Sequence, residues 1–128
     1  MQFIIRGGKK LEGTIQVNGS KNAGLPLLSA ALLTGRNITL TNIPDIADIQ
    51  SSIKLMQGLG AQVEFENHTV KIKSGQLSGS TLNEEIAKRM RASIFFTVPV
   101  LARMKSVTFP HPGGCVIGER PIDIFTEG

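Results

Sequence analysis

Apolar residues recur along this chain in two rhythms, one of period two and one of three to four. The pattern predicts alternating strands and helices. Residues 1–5 and 13–17 are short runs rich in Ile and Val around the turn-like Gly7-Gly8-Lys9-Lys10, which predicts an opening hairpin ending near Asn18-Gly19. Residues 20–33 then carry leucine and alanine on every side, with Pro26 near the start and Gly35 past the end, so a helix buried all round is expected. Residues 37–41 alternate as a strand. Pro44-Asp45 opens a second helix, with Asp45 as its N-cap and Ile46, Ile49, Ile53 and Met56 as one core-facing stripe that stops at Gly58 and Gly60.

Residues 62–66 and 69–73 alternate about Asn67-His68, the pattern of a hairpin with a two-residue turn, and His68 becomes an exposed turn residue with no catalytic task. Residues 74–81 are polar and glycine-rich, a loop. From Asn83 a third helix is expected, carrying Ile86, Met90, Ile94 and Val98 every four residues and interrupted at Pro99. Residues 106–109 read as a strand that leads into a loop, and Pro121 sits where a last helix begins. Setting Ile38-Thr39-Leu40 over Val107-Thr108-Phe109 gives an offset of 69 residues, with a proline loop and a helix after each copy. This is an internal repeat whose second copy is cut short at Gly128. The elements define a mixed α/β (α+β) chain with at most one domain.

Charge and cysteine usage change the picture only in part. The net charge of +4 favours anionic partners, but the cations are scattered and Trp and Tyr are absent, so small phosphorylated ligands fit better than nucleic acid. One cysteine excludes an internal disulfide, and no apolar run approaches the roughly 18 residues of a membrane span. A cytoplasmic protein is expected.

Three places could carry chemistry. The segment His111-Pro112-Gly113-Gly114-Cys115-Val116-Ile117-Gly118-Glu119-Arg120-Pro121 is a loop in which paired glycines allow close backbone approach and Arg120 lowers the cost of a thiolate at Cys115; the alternative is an inert buried thiol. Lys21 and Asn22 stand at a helix entrance, where unpaired amides attract anions, unless the lysine is merely a solvated loop charge. On the third helix Glu84 can pair with Lys88 and Glu85 with Arg89, which leaves Arg91 without a helical partner. Its charge then meets either an anionic ligand or water.

Asn18-Gly19-Ser20-Lys21-Asn22-Ala23, Met90-Arg91-Ala92-Ser93 and Pro112-Gly113-Gly114-Cys115-Val116-Ile117-Gly118-Glu119-Arg120-Pro121-Ile122-Asp123 are specific in this order and spacing. With them the whole chain resembles the amino-terminal part of the UDP-N-acetylglucosamine 1-carboxyvinyltransferase family of enolpyruvyl transferases. The resemblance implies an inside-out α/β barrel fold built of repeated strand and helix units. Residues 1–20 would join the second domain, and residues 21–128 would form an incomplete first catalytic domain. It further implies transfer of the enolpyruvyl group of phosphoenolpyruvate to the 3-hydroxyl of UDP-N-acetylglucosamine, in peptidoglycan precursor synthesis.

By the same resemblance Lys21, Asn22 and Arg120 bind phosphoenolpyruvate, and Cys115 with Lys21 is catalytic, the thiol being the target of fosfomycin. Asn22, Arg91, Arg120, Pro121, Ile122, Asp123, Ile124 and Phe125 hold the nucleotide sugar, Asp123 accepting from the base. No metal or organic cofactor is implied, and no membrane partner. Phe125 stands where many members carry histidine, and Val116 where a smaller or polar residue is common, which affects nucleotide contact and loop packing. The family's general-base aspartate and further arginines come from beyond Gly128, so the chain alone is expected to be inactive, with a missing second domain and a tendency to self-associate. Two readings compete: a UDP-sugar-binding or interaction module without chemistry, and a thiol redox protein, which the lack of a second cysteine disfavours.

Overall fold

The fold is described from a computed structural model covering residues 2–113 and 121–127, apart from the side chain of Phe125. Helix α1, Lys21–Ala31, is followed by strand β1, Asn37–Leu40, helix α2, Ala47–Gly58, and strands β2, Gln62–Glu66, and β3, Thr69–Lys73. After a loop come the short helix α3, Glu84–Ala87, a 3₁₀ segment, Arg91–Phe96, helix α4, Thr97–Met104, and helix α5, Asp123–Glu127.

The sheet has the order β1-β3-β2 and is antiparallel throughout. Asn67 and His68 both take positive φ, 47° and 57°, the backbone a two-residue hairpin turn requires, so the register Glu66↔Thr69 through Gln62↔Lys73 follows from the turn. One face of the sheet buries Val63, Val70 and Ile72, with Ile38, Leu40 and Phe65 packed against them. On the other face Glu64 stands opposite Lys71, an opposite-charge pair suited to water. The hairpin matches the expectation residue for residue, and His68 is exposed as expected, its Nδ1 3.1 Å from the Ile43 carbonyl oxygen.

The core lies between this sheet and the helices. Leu28 and Leu32 from α1 and its end meet Ile49, Leu55 and Met56 from α2 and Phe96 from the 3₁₀ segment, all essentially without solvent contact. Burial of each such side chain contributes about 1.5–3 kcal/mol. The predicted α2 stripe is this core face: Ile49, Ile53 and Met56 are buried and Ile46 is partly so.

Several expectations are corrected. The opening hairpin does not form: residues 2–20 contain no strand, and Phe3 and Leu11 are 77% and 93% exposed. A lone two-stranded hairpin is marginal in water, and no sheet or helix among the described residues covers these apolar side chains. Helix α1 is buried on one side only. Gly24, Leu25, Leu28, Ser29 and Ala31 lie on the buried side, toward α2 and the 3₁₀ segment, while Leu27 remains half exposed on the other. Asp45 is not the N-cap of α2. Ile46 takes that position with extended backbone, and Asp45 Oδ1 accepts instead from Gln50 Nε2 at 2.7 Å.

The third helix is three pieces. Met90 is extended, with φ −144° and ψ 139°, which breaks the helix nine residues before Pro99. The break lets Met90 reach the buried Ser52, whose Oγ lies 3.8 Å from the sulfur. Pro99 itself sits in the first turn of α4, where a missing N–H costs nothing. With α3 ending at Ala87, Arg89 no longer stands above Glu85 and that ion pair is absent, whereas Lys88 and Glu84 do pair. Val98, the fourth expected core position, is 59% exposed. Residues 106–109 form one parallel bridge, Thr81↔Thr108, rather than a strand. No helix among the described residues is long and apolar enough to cross a membrane.

Candidate functional site

The entrance of α1 is shaped by a glycine. A Cβ on Gly19 would lie 1.6 Å from the Asn42 carbonyl oxygen, so only glycine lets the chain lie flat on the β1–α2 loop there. Ser20 then caps the helix, its Oγ accepting from Ala23 N at 3.3 Å. Lys21 is thereby the first helical residue, and its ammonium pairs with the Asp48 carboxylate in the first turn of α2. Asn22 is exposed beside it, and Pro26 withholds the N–H that the Asn22 carbonyl would otherwise receive.

A second cluster forms where the third helix breaks. Gly113 packs onto the end of α3: its N–H approaches the Ala87 carbonyl at 3.5 Å, and a Cβ would sit 1.4 Å from the Lys88 carbonyl oxygen. Arg91 Nη2 donates to the Pro121 carbonyl oxygen at 3.4 Å. The two described residues that flank the cysteine loop, Gly113 and Pro121, therefore rest on one stretch of chain, residues 87–91. Arg91, which has no helical ion-pair partner, does meet something outside its segment. That something is the backbone next to the loop.

Helix α2 joins the clusters. Asp48 holds Lys21, and Ser52, one turn further on, donates its hydroxyl to the Asp48 carbonyl at 2.9 Å and touches Met90, the neighbour of Arg91. One face of α2 thus carries Lys21 at Asp48 and, one turn on, the residue next to Arg91 at Ser52. Ile122 is half-buried, whereas Pro121, Asp123 and Ile124 are exposed. Cys115, Val116 and Arg120 lie outside the described residues, as does the side chain of Phe125. Among the described residues no cluster of three or more His, Cys, Asp or Glu could hold a metal.

The sequence reading missed two residues. Asp48 could have been noticed as an acid in the first turn of a helix, though nothing local pairs it with Lys21. Arg103 carried no signal at all, yet its guanidinium donates to the carbonyls of Leu32 at 2.9 Å, Ser74 at 2.5 Å and Gly75 at 2.9 Å, tying the end of α1 to the end of β3. A groove of about 230 Å³ on the sheet, lined by Glu64, Glu66, Asn67, Thr69 and Lys71, includes none of the expected site residues.

A family model described as EPSP synthase (3-phosphoshikimate 1-carboxyvinyltransferase) matches residues 5–128. The chain belongs to the EPSP synthase family. Within that family it is similar to the UDP-N-acetylglucosamine 1-carboxyvinyltransferase of Elusimicrobium minutum, 44% identical over 127 residues, which cover 99% of this chain and 30% of the relative. The enzyme of the same name from Acinetobacter baylyi is 45% identical over 122 residues, 95% of this chain and 29% of its own length. The chain thus spans about 30% of the length of these curated relatives. Its fold resembles the crystal structure of the enolpyruvyl transferase NikO from Streptomyces tendae, with a TM-score of 0.68 at 19% identity over 76% of this chain and 23% of that one. That likeness establishes an enolpyruvyl transferase type of fold; the three-stranded sheet described here is open and is not itself a closed barrel.

Proposed function

We propose that this chain forms the amino-terminal wall of an enolpyruvyl transferase site that takes phosphoenolpyruvate and UDP-N-acetylglucosamine. The observation that carries the reading is the 44% identity to a UDP-N-acetylglucosamine 1-carboxyvinyltransferase along 127 residues. The Lys21 cluster and the Met90–Arg91 break, which meet α2 at Asp48 and Ser52 one turn apart, support it, because the substrates bring phosphate and carboxylate groups.

In this reading the sugar 3-hydroxyl oxygen adds to C2 of phosphoenolpyruvate, its proton passing to the general base of a second domain, while C3 gains a proton from the Cys115 thiol, which becomes a thiolate. The resulting tetrahedral adduct then loses a proton from C3, which restores the Cys115 thiol, and breaks its C2–O bond to phosphate; the phosphate leaves with the bonding pair and takes up the hydroxyl proton, giving the enolpyruvyl ether and inorganic phosphate. Lys21 and Arg120 offset the charge on the phosphate and carboxylate, and charge-assisted contacts of this kind act where charge accumulates. Asn22 orients the sugar. Arg91, Pro121, Ile122, Asp123, Ile124 and Phe125 hold the nucleotide, with residues 1–20 joining a second domain that also brings the general base.

Fosfomycin tests the thiol directly. A Cys115 thiolate opens the epoxide, forming a carbon–sulfur bond while the cleaved C–O oxygen takes up a proton. Mass spectrometry of the treated chain should find one adduct, at Cys115; an unmodified chain, or random modification of other nucleophiles, contradicts the proposal. The alternative reading is a UDP-sugar-binding module without chemistry. That reading predicts UDP-N-acetylglucosamine binding at residues 121–125 with no reaction at Cys115.

A further inference from the structure

We propose that Asp48 is a positioning residue for Lys21, an inference that rests on the reading of Lys21 as a ligand of a substrate anion. Lys21 is the first residue of α1 and Asp48 lies in the first turn of α2, 27 positions later in the chain, and their side chains form an ion pair that is 52% exposed on the lysine and 30% on the aspartate. The pairing is imposed by backbone packing on both sides of it. Gly19 lies against Asn42 before the pair, and Gly24 lies against Ile49 after it, a Cβ there meeting Ile49 Cδ1 at 3.2 Å. The Asp48 backbone is held in addition by the Ser52 hydroxyl on its carbonyl.

These contacts separate the fold from the charge. Partly exposed ion pairs add little to stability, and the buried Ile49 and Leu28 already join α1 to α2. The carboxylate instead sets where the ammonium stands. A long lysine side chain is otherwise free to sample many rotamers, and its restraint at the mouth of α1 keeps the cation beside the first-turn amides, where an anion gains from both. The same carboxylate opposes a second anion at that ammonium. Substrate phosphate or carboxylate must therefore outcompete Asp48, and loss of the aspartate charge both frees the lysine and strengthens simple anion binding.

The test is a titration of the chain with inorganic phosphate, followed by NMR of the Lys21 ammonium and of the amides of residues 21–23. D48N should lose the restrained ammonium signal yet bind phosphate about threefold or more tightly, as expected for removal of one nearby charge in a partly exposed site. D48E should keep affinity near the parent value, and in a K21M background D48N should change nothing. A purely structural role would weaken binding or leave it alone, never tighten it. Equal or weaker phosphate affinity in D48N overturns the proposal, as does tightening that persists in K21M, and so does a parent chain that binds no phosphate at Lys21. Fosfomycin labelling of Cys115 together with an unaltered D48N affinity removes the role of Asp48 alone. The expected phosphate pattern without any labelling removes the assigned reaction and leaves the role of Asp48 in place.

Discussion

Gly19 and Gly113 show how single positions control the site. At each, the atoms a Cβ would meet belong to backbone, Asn42 and Lys88 respectively, which cannot rotate away. Gly19→Ala should lower stability by about 1–3 kcal/mol, the usual cost of forcing a packed region apart, and should displace Lys21 from Asp48. Gly58, the last residue of α2, has open space around it, so Gly58→Ala should raise stability by up to about 1 kcal/mol. Urea midpoints of the two variants, shifted in opposite directions, check this contrast. Arg103 makes a different demand. Its planar fork serves three carbonyls at once, a geometry lysine cannot copy, so Arg103→Lys should cost about 1–3 kcal/mol in the same measurement.

At the scale of elements, α3 is stabilised at both ends by charge and capping. Asn83 Oδ1 accepts from Ile86 N at 3.0 Å, and the Lys88 ammonium hydrogen-bonded to Glu84 holds that carboxyl below its ordinary value of 4.5. A carboxyl with a lowered folded-state value supports the fold above its unfolded value and loses that support as pH falls through the folded one. The α3 amide shifts should therefore be constant above about pH 5 and move toward frayed values in more acid solution, a change that Glu84→Gln should abolish. The elements also explain what could be read from the chain beforehand. The β2–β3 hairpin and the α2 stripe are encoded by neighbours: Asn67-His68 supplies the turn, and residues three or four apart supply the face. The break at Met90 goes with a contact to buried Ser52, 38 positions away, which no local pattern reveals. The Lys21–Asp48 pair and the Arg103 carbonyl cluster depend likewise on packing between distant segments. Lys21 and Arg91 could be nominated as cations without helical partners, but which groups they meet follows only from the fold.

Apolar surface is open in two regions of the described residues. Phe3, Ile4, Ile5, Leu11, Ile15 and Val17 are exposed along the opening segment, and Leu27, Phe95, Val98 and Leu101 are 42–59% exposed on α1, the 3₁₀ segment and α4. Exposed apolar groups in this number favour association, so sedimentation velocity should show larger species as concentration rises, and Ile4→Lys with Ile15→Lys should reduce them. The central claim concerns the Lys21 entrance, paired with Asp48 of α2, and Arg91, which meets the Pro121 segment beside Met90. The most direct measurement is a UDP-N-acetylglucosamine titration of the isotope-labelled chain, following the amides of Lys21 and Asn22, of Arg91, and of Ile122, Asp123 and Ile124. These three groups should shift together along one binding curve; shifts in none of them, or only around Glu64 and Lys71 on the sheet, would contradict the account.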